Sequence, residues 1–306
     1  MLELYQVQKI MLFKILCGLL IGSVVFISQS KAIAAPLCKT VIYTPPTAKQ
    51  AFVGDLCIPK NQKRTIILIV HGGGGVTGSK EWLSSWADEY HRAGYATLNI
   101  DYRLFNKNEA KPVFPQPVQN VKAAVQYLRK EAKQLGIDPN RIVLHGSSAG
   151  ATLAAQVLVS GGDSYFYGNE LWANISDLPN GMIGFYGYYT GLTRHADIYF
   201  GGDLDSKDPQ VQERIRKANA ILNAQQANAP ILLFHGTNDR IVPYGLMTKF
   251  VEALKLANKN VEAVTITDGI HGFDRTLNPV NFNGLSDLGK QSANQIFAWL
   301  SRKFPE

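Results

Sequence analysis

From residue 64 onward, short strand-forming runs and segments of helical polarity take turns along the chain, and this alternation is the tightest constraint on its fold. RTIILIVHG (64–72), the stretches at 141–145 and 230–235, and YATLNIDYR (95–103) are dominated by residues that suit strands buried on both faces. Strands are also expected at 181–186 and 261–267. Between them, 78–94, 149–159, 244–257 and a segment near 286–302 have helical character. In 118–135, Val118, Val121, Ala124, Val125 and Leu128 recur at the helical period until Gly136 ends the pattern. This order predicts one doubly wound α/β domain with a mostly parallel sheet and helices on both faces. An antiparallel pair within 39–58 is expected at the sheet edge.

The first residues read differently. Lys9 and Lys14 precede the apolar run ILCGLLIGSVVFIS (15–28), and Ala32-Ile33-Ala34 offers small residues at alternate positions. A secretory signal over residues 1–34 is the expectation, leaving a single domain over 35–306 and an exported protein, periplasmic or extracellular. At about 1.5 Å per residue the run is too short for a hydrocarbon core of roughly 30 Å, so no stable membrane span is expected. An uncleaved N-terminal anchor is the competing reading. Acids and bases are interleaved despite a formal charge of +7, which argues against a nucleic-acid partner. Cys38 and Cys57 lie symmetrically about the Pro-rich turn of CKTVIYTPPTAKQAFVGDLC, so they either pair across a hairpin or remain two small buried thiols.

The chemistry concentrates at RIVLHGSSAGATLAAQ (141–156), where a strand runs into a helix with no loop between. Gly146-Ser147-Ser148-Ala149-Gly150 fits G-x-S-x-G with Ser148 central, a turn in which strained backbone holds one hydroxyl above the sheet at a helix N-terminus. Ser147 is the rival hydroxyl but lacks glycines at those offsets. A serine nucleophile needs a base and an orienting acid. Downstream, ILLFHGTNDRIVP (231–243) carries Asp239 just beyond a strand, and VTITDGIHGF (264–273) carries His271 beyond the next. Both fall at the edge where open parallel sheets place their sites. Asp268 is a stand-in for the acid, ranked below Asp239. After RTIILIV comes His71-Gly72-Gly73-Gly74-Gly75, whose side-chain-free backbone can turn amides toward one point, with the Ala149 N–H adding another. A phosphate loop would need Gly-Lys-Ser/Thr, which is absent. His71 is read as a hydrogen-bonding scaffold, as are His145 and His235. Trp82 and Trp86, spaced i and i+4, are expected to pack one helix face.

The run from Ile67 to Gly150 resembles the carboxylesterases of the α/β-hydrolase fold, close to the hormone-sensitive-lipase-like and the bifunctional feruloyl/acetyl-xylan esterase (BD-FAE-like) groups. HGGGG (71–75), IDYRL (100–104), FPQPVQNVKAAVQYLRK (114–130), GIDPNRIVLHGSSAG (136–150), FYG (185–187), HGTNDRIVP (235–243) and the IHGF ending carry the likeness. It implies Ser148 as nucleophile, His271 as base, Asp239 as orienter, and Gly73, Gly74 and Ala149 as oxyanion donors, with no metal or organic cofactor. Departures stand at Val76, where many relatives have an aromatic, and at Asn120, where many have an acid.

The expected activity is hydrolysis of short-chain acyl or carbohydrate-linked esters through an acyl-enzyme. The insertion at 161–180 is short, so any lid is expected to be small or absent, and Tyr186, Tyr188 and Tyr189 are placed near the pocket mouth. A serine peptidase of the prolyl-oligopeptidase kind and a catalytically silent binding protein on a hydrolase scaffold are the rival readings. Oligomeric state has no signature in the sequence.

Overall fold

The computed structural model describes residues 36–105, 108, 112–276 and 284–306; the expected signal segment lies outside them. Ala34–Glu306 forms one compact unit. Its eight strands are β1 (Leu37–Ile42), β2 (Val53–Ile58), β3 (Ile66–Val70), β4 (Ala96–Ile100), β5 (Ile142–Ser147), β6 (Gly181–Phe185), β7 (Ile231–Gly236) and β8 (Val261–Ile266). They form one sheet in the order β1-β2-β4-β3-β5-β6-β7-β8. From β4 to β8 every pairing is parallel, and β1 and β2 join antiparallel at one edge. In that register Cys38 stands directly opposite Cys57, and the two are joined as a disulfide.

The helices are α1 (Ser84–Arg92), α2 (Gln116–Leu135), α3 (Ala149–Val159), α4 (Ala196–Tyr199), α5 (Pro209–Ala218), α6 (Gly245–Leu256) and α7 (Asp287–Lys303). Alternate strand residues feed two cores. Ile66, Leu68 and Val70 pack with Val118 and Leu128 of α2, Leu153 of α3 and Phe250 of α6. Ile67 and Ile69 face Trp86 and Tyr90 of α1 and Ile296, Trp299 and Leu300 of α7. Both sides of β3 are therefore apolar because both are covered, which is why its sequence shows no alternation. Truncating such a residue, for example Leu68, to alanine costs about 2–5 kcal/mol. Among the described residues no helix is long and apolar enough to cross a membrane.

Three expectations change. Helix 78–94 is instead a 3₁₀ turn, Lys80–Leu83, followed by α1. Trp82 and Trp86 therefore do not share a helix face: Trp86 is buried beneath the sheet and Trp82 borders a cavity above it. The 161–180 segment cannot act as a lid, since it links the C-terminus of α3 to the start of β6, at the sheet edge opposite the strand C-termini. Buried Lys122 pins it there, donating to Ser160 O at 2.9 Å and to Asp177 Oδ2 at 2.5 Å. Finally, Tyr186 and Tyr189 are wholly buried, and of the three tyrosines Tyr188 alone borders the cavity. The extra polypeptide near the strand C-termini is the β6–β7 connection, which holds α4 and α5.

Candidate active site

Parallel strands share a direction, so the segments leaving β3, β5, β7 and β8 all emerge at one edge of the sheet. At the end of β5, Ser148 adopts φ 56° and ψ −119°, a left-handed conformation that a serine holds only when its surroundings enforce it. The enforcement is steric. A Cβ on Gly146 would stand 2.4 Å from Gly150 O, and one on Gly150 would stand 2.0 Å from Val70 O, so strand and helix meet at a distance only glycine allows. The Ser148 amide donates to Phe185 O at 2.8 Å, tying the turn to β6. Ser148 is part-exposed while Ser147 is buried, which separates the two hydroxyls.

The Asp239 and His271 loops are laced together. Thr237 N–H donates to Ile266 O at 3.0 Å, Asn238 N–H to Gly269 O at 3.0 Å, and Asp268 N–H to Thr237 Oγ1 at 2.9 Å. Asp268 is exposed and, at φ 56°, serves as a turn residue. Asp239 is the carboxylate that reaches the histidine: His271 Nδ1–H donates to Asp239 Oδ2 at 2.7 Å. That bond places the ring hydrogen on Nδ1 and leaves Nε2 to accept from Ser148 Oγ–H at 3.0 Å. The other carboxylate oxygen, Oδ1, accepts the amides of Ile241 and Val242, each at 2.8 Å. Burial alone would raise the Asp239 carboxyl. Hydrogen bonds from His235, His271 and the Val242 amide outweigh it and hold the group ionised, well below the usual carboxylate range.

The glycine loop after β3 closes the other side. Gly73 has φ 107°, and its carbonyl accepts from Val76 and Thr77 at 3.2 and 3.1 Å. His71 sits buried below, stacked on Tyr102 at 4.3 Å, with Nδ1–H donating to Gly72 O at 2.7 Å. Burial lowers its pKa, which suits a neutral scaffold. Gly73, Gly74 and Ala149 line, with Ser148 and His271, a cavity of about 300 Å³. The sequence-selected Ser148, Asp239, His271, Gly73, Gly74 and Ala149 thus come together at one sheet edge. Trp82, Leu192 and Arg194 also border the cavity; the sequence reading took Trp82 for helix packing and passed over the other two.

This sheet, with its strand-to-helix serine turn, defines an α/β-hydrolase. Residues 55–254 match the model of the BD-FAE family, and the chain belongs to that family. Over 229 residues it is 25% identical to the isoprenylcysteine alpha-carbonyl methylesterase ICME of Arabidopsis thaliana, covering 71% of this chain and 53% of that protein. It is 26% identical over 219 residues to esterase LipC of Mycobacterium tuberculosis, covering 68% and 53%. Endo-1,4-beta-xylanase B of Butyrivibrio fibrisolvens is 26% identical over 234 residues, covering 76% of this chain and 36% of the relative. The chain spans about half the length of the first two of these relatives, or less in the xylanase. The propionate-bound esterase Est2 of Thermogutta terrifontis shares its fold, with a TM-score of 0.70 at 23% identity over 87% of this chain and 94% of that one.

Proposed function

We propose that the protein is a serine carboxylic-ester hydrolase working through an acyl-enzyme. The observation that carries this reading is the unbroken relay from Ser148 Oγ through His271 to Asp239 at the mouth of the cavity. Ser148 Oγ attacks the ester carbonyl while His271 Nε2 takes its proton, and the carbonyl oxygen becomes an oxyanion. The amides of Gly73, Gly74 and Ala149 stabilise that charge; losing one such donor costs about 2.7–4 kcal/mol of transition-state stabilisation. Collapse breaks the ester C–O bond, and the alcohol leaves with the proton from His271. Water, deprotonated by His271, then attacks the acyl-enzyme and releases the acid and free Ser148. Asp239 stays ionised throughout and balances the imidazolium.

Substrates with short acyl groups, including carbohydrate-linked esters, fit this site. The cavity volume of about 300 Å³ lies at the small end for ligand pockets, and it leaves a long chain's methylenes in water, each forfeiting about 0.8 kcal/mol. Export through the N-terminal segment is part of the same proposal. The Cys38–Cys57 bond supports it, because disulfides persist in oxidising compartments.

The test is a hydrolysis panel on purified protein: nitrophenyl esters from acetyl to palmitoyl, acetylated xylan, methyl ferulate and a proline-containing peptide amide. The expected kcat/KM peaks at acyl chains of about two to four carbons and falls steeply beyond about eight. A maximum at the longest chains, or cleavage of the amide alone, overturns the proposal.

A further inference from the structure

Two arginines border the cavity that holds Ser148 and His271, and no Asp or Glu stands among its described lining residues. Their settings differ. Arg275 has a carboxylate beside it: buried Asp274, whose Oδ1 accepts from Tyr186 OH at 2.6 Å and whose Oδ2 accepts from Trp86 Nε1 at 2.7 Å. Burial disfavours the Arg275 charge, but Tyr186 and Asp274 more than restore it. Arg275 therefore balances a charge behind the cavity wall.

Arg194 has a different origin. It rises from the 3₁₀ turn Thr193–His195 in the β6–β7 connection, and its exposed side chain borders the cavity beside Leu192. Much of the remaining wall is apolar or aromatic, from Trp82, Tyr188 and Ile241. Asp239, behind the same wall, is already engaged by His271 and by the Ile241 and Val242 amides. A substrate body lying against those walls strips water from the Arg194 guanidinium, and an anion on the substrate returns that lost interaction more fully than a neutral acceptor does. Guanidinium geometry matches a carboxylate with two parallel hydrogen bonds.

We propose that Arg194 recognises a carboxylate carried by the ester substrate, so that the preferred substrate is amphiphilic: an apolar or aryl body, a hydrolysable ester and an anionic group. This rests on the hydrolase reading above. The carboxylate belongs either to the acyl half or to the alcohol half, and the test separates the two.

The experiment measures kcat/KM on two matched pairs. In the acyl arm, 4-nitrophenyl butyrate is compared with the mono-4-nitrophenyl ester of succinate; in the alcohol arm, methyl 4-acetoxybenzoate is compared with 4-acetoxybenzoate. Each pair is run on wild type, Arg194→Gln and Arg194→Lys, at low and high salt. In one arm the anionic-to-neutral ratio is expected to fall about tenfold or more in Arg194→Gln, to be partly retained in Arg194→Lys, and to shrink in wild type as salt rises. A fall in the acyl arm places the carboxylate on the acid, and a fall in the alcohol arm places it on the leaving group. Neutral esters hydrolysed with both ratios unchanged by Arg194→Gln would overturn the anion site and leave the hydrolase standing. Hydrolysis of neither member of either pair would overturn the hydrolase reading and this proposal with it.

Discussion

His235 Nε2 lies 3.3 Å from Asp239 Oδ2, the same oxygen that receives the hydrogen bond from His271. The His235 ring is wholly buried at the end of β7, and Nε2 also lies 3.0 Å from Val242 O. An acceptor on each side puts the ring hydrogen on Nε2, shared between carbonyl and carboxylate. A second histidine thus holds the acid from behind, four residues upstream of it in the chain.

Replacing His235 with phenylalanine keeps the ring volume and removes that donor. The expected result is a fall in kcat of about three- to tenfold with KM nearly unchanged, since the residue acts through Asp239 and does not reach the substrate. Steady-state kinetics on a short nitrophenyl ester decides it. An unchanged kcat would mean that the His271 bond and the two backbone amides suffice to orient Asp239.

Ser148 offers a pair of variants that separate chemistry from strain. Ser148→Ala should lose about four orders of magnitude or more in turnover at nearly constant stability. Ser148→Gly should be equally inactive yet more stable by about 1 kcal/mol, because glycine adopts φ 56° freely while alanine inherits the strain. Urea denaturation of the two inactive proteins gives the comparison. A glycine variant no more stable than the alanine one would show the turn to be unstrained.

Acid should weaken the fold from about pH 6 downward. Burial, followed by the charge of Arg275, pushes the His145 pKa down to about 3, whereas the same side chain in the unfolded chain titrates near 6.5. Between those values only the unfolded state binds the proton. Stability is therefore full above about 6.5 and falls with decreasing pH, by about 1.4 kcal/mol per unit at full slope. Asp239 acts lower: its depressed carboxyl stabilises the fold above about pH 3.9 and that part is lost further into acid. Denaturation curves at a series of pH values should be flatter for His145→Gln than for wild type, whatever the variant's stability at neutral pH. Parallel curves would contradict the assignment.

The disulfide closes a sequence separation of 19 between edge strand β1 and its neighbour β2. Loop-closure entropy of the unfolded chain assigns such a loop about 3 kcal/mol. Peptide mapping by mass spectrometry should recover Cys38 and Cys57 linked, and reduction should lower the urea midpoint. Recovery of both as free thiols from protein made in an oxidising compartment would refute the pairing.

What the chain reveals before folding follows from how local each feature is. The Ser148 turn is legible because Gly146 is demanded by a strand and helix adjacent in sequence, although Gly150 answers to Val70 of distant β3. Asp239 is legible because it follows the recognisable buried strand β7, and His271 because it follows the strand next in order, part-exposed β8. Trp82 and Arg194 are not, since each reaches the cavity from a 3₁₀ turn without periodic signature, on a connection whose path over the sheet no residue pattern declares. Whether 161–180 could cover the site is hidden for a related reason. The length of 161–180 is visible in the sequence, but which end of the sheet it borders depends on the direction of α3 and β6. Tyr186 and Tyr189 look alike in sequence to Tyr188, yet the first bonds buried Asp274 and the second stacks on Phe250.

The β6–β7 connection has an evolutionary consequence. It supplies Tyr188, Leu192, Thr193 and Arg194 to the cavity, while Ser148, Asp239 and His271 hang from β5, β7 and β8. The parts that would choose a molecule and the parts that would break its bond are therefore encoded in separate stretches of the gene. Selection can rewrite exposed positions of the connection, such as Arg194, without disturbing the glycine contacts that hold the serine turn in shape, whereas its buried residues, Tyr189, Tyr199 and Phe200 among them, are tied to the core. Changes in what the cavity admits are reachable in this scaffold by small steps that leave Ser148, His271 and Asp239 in place.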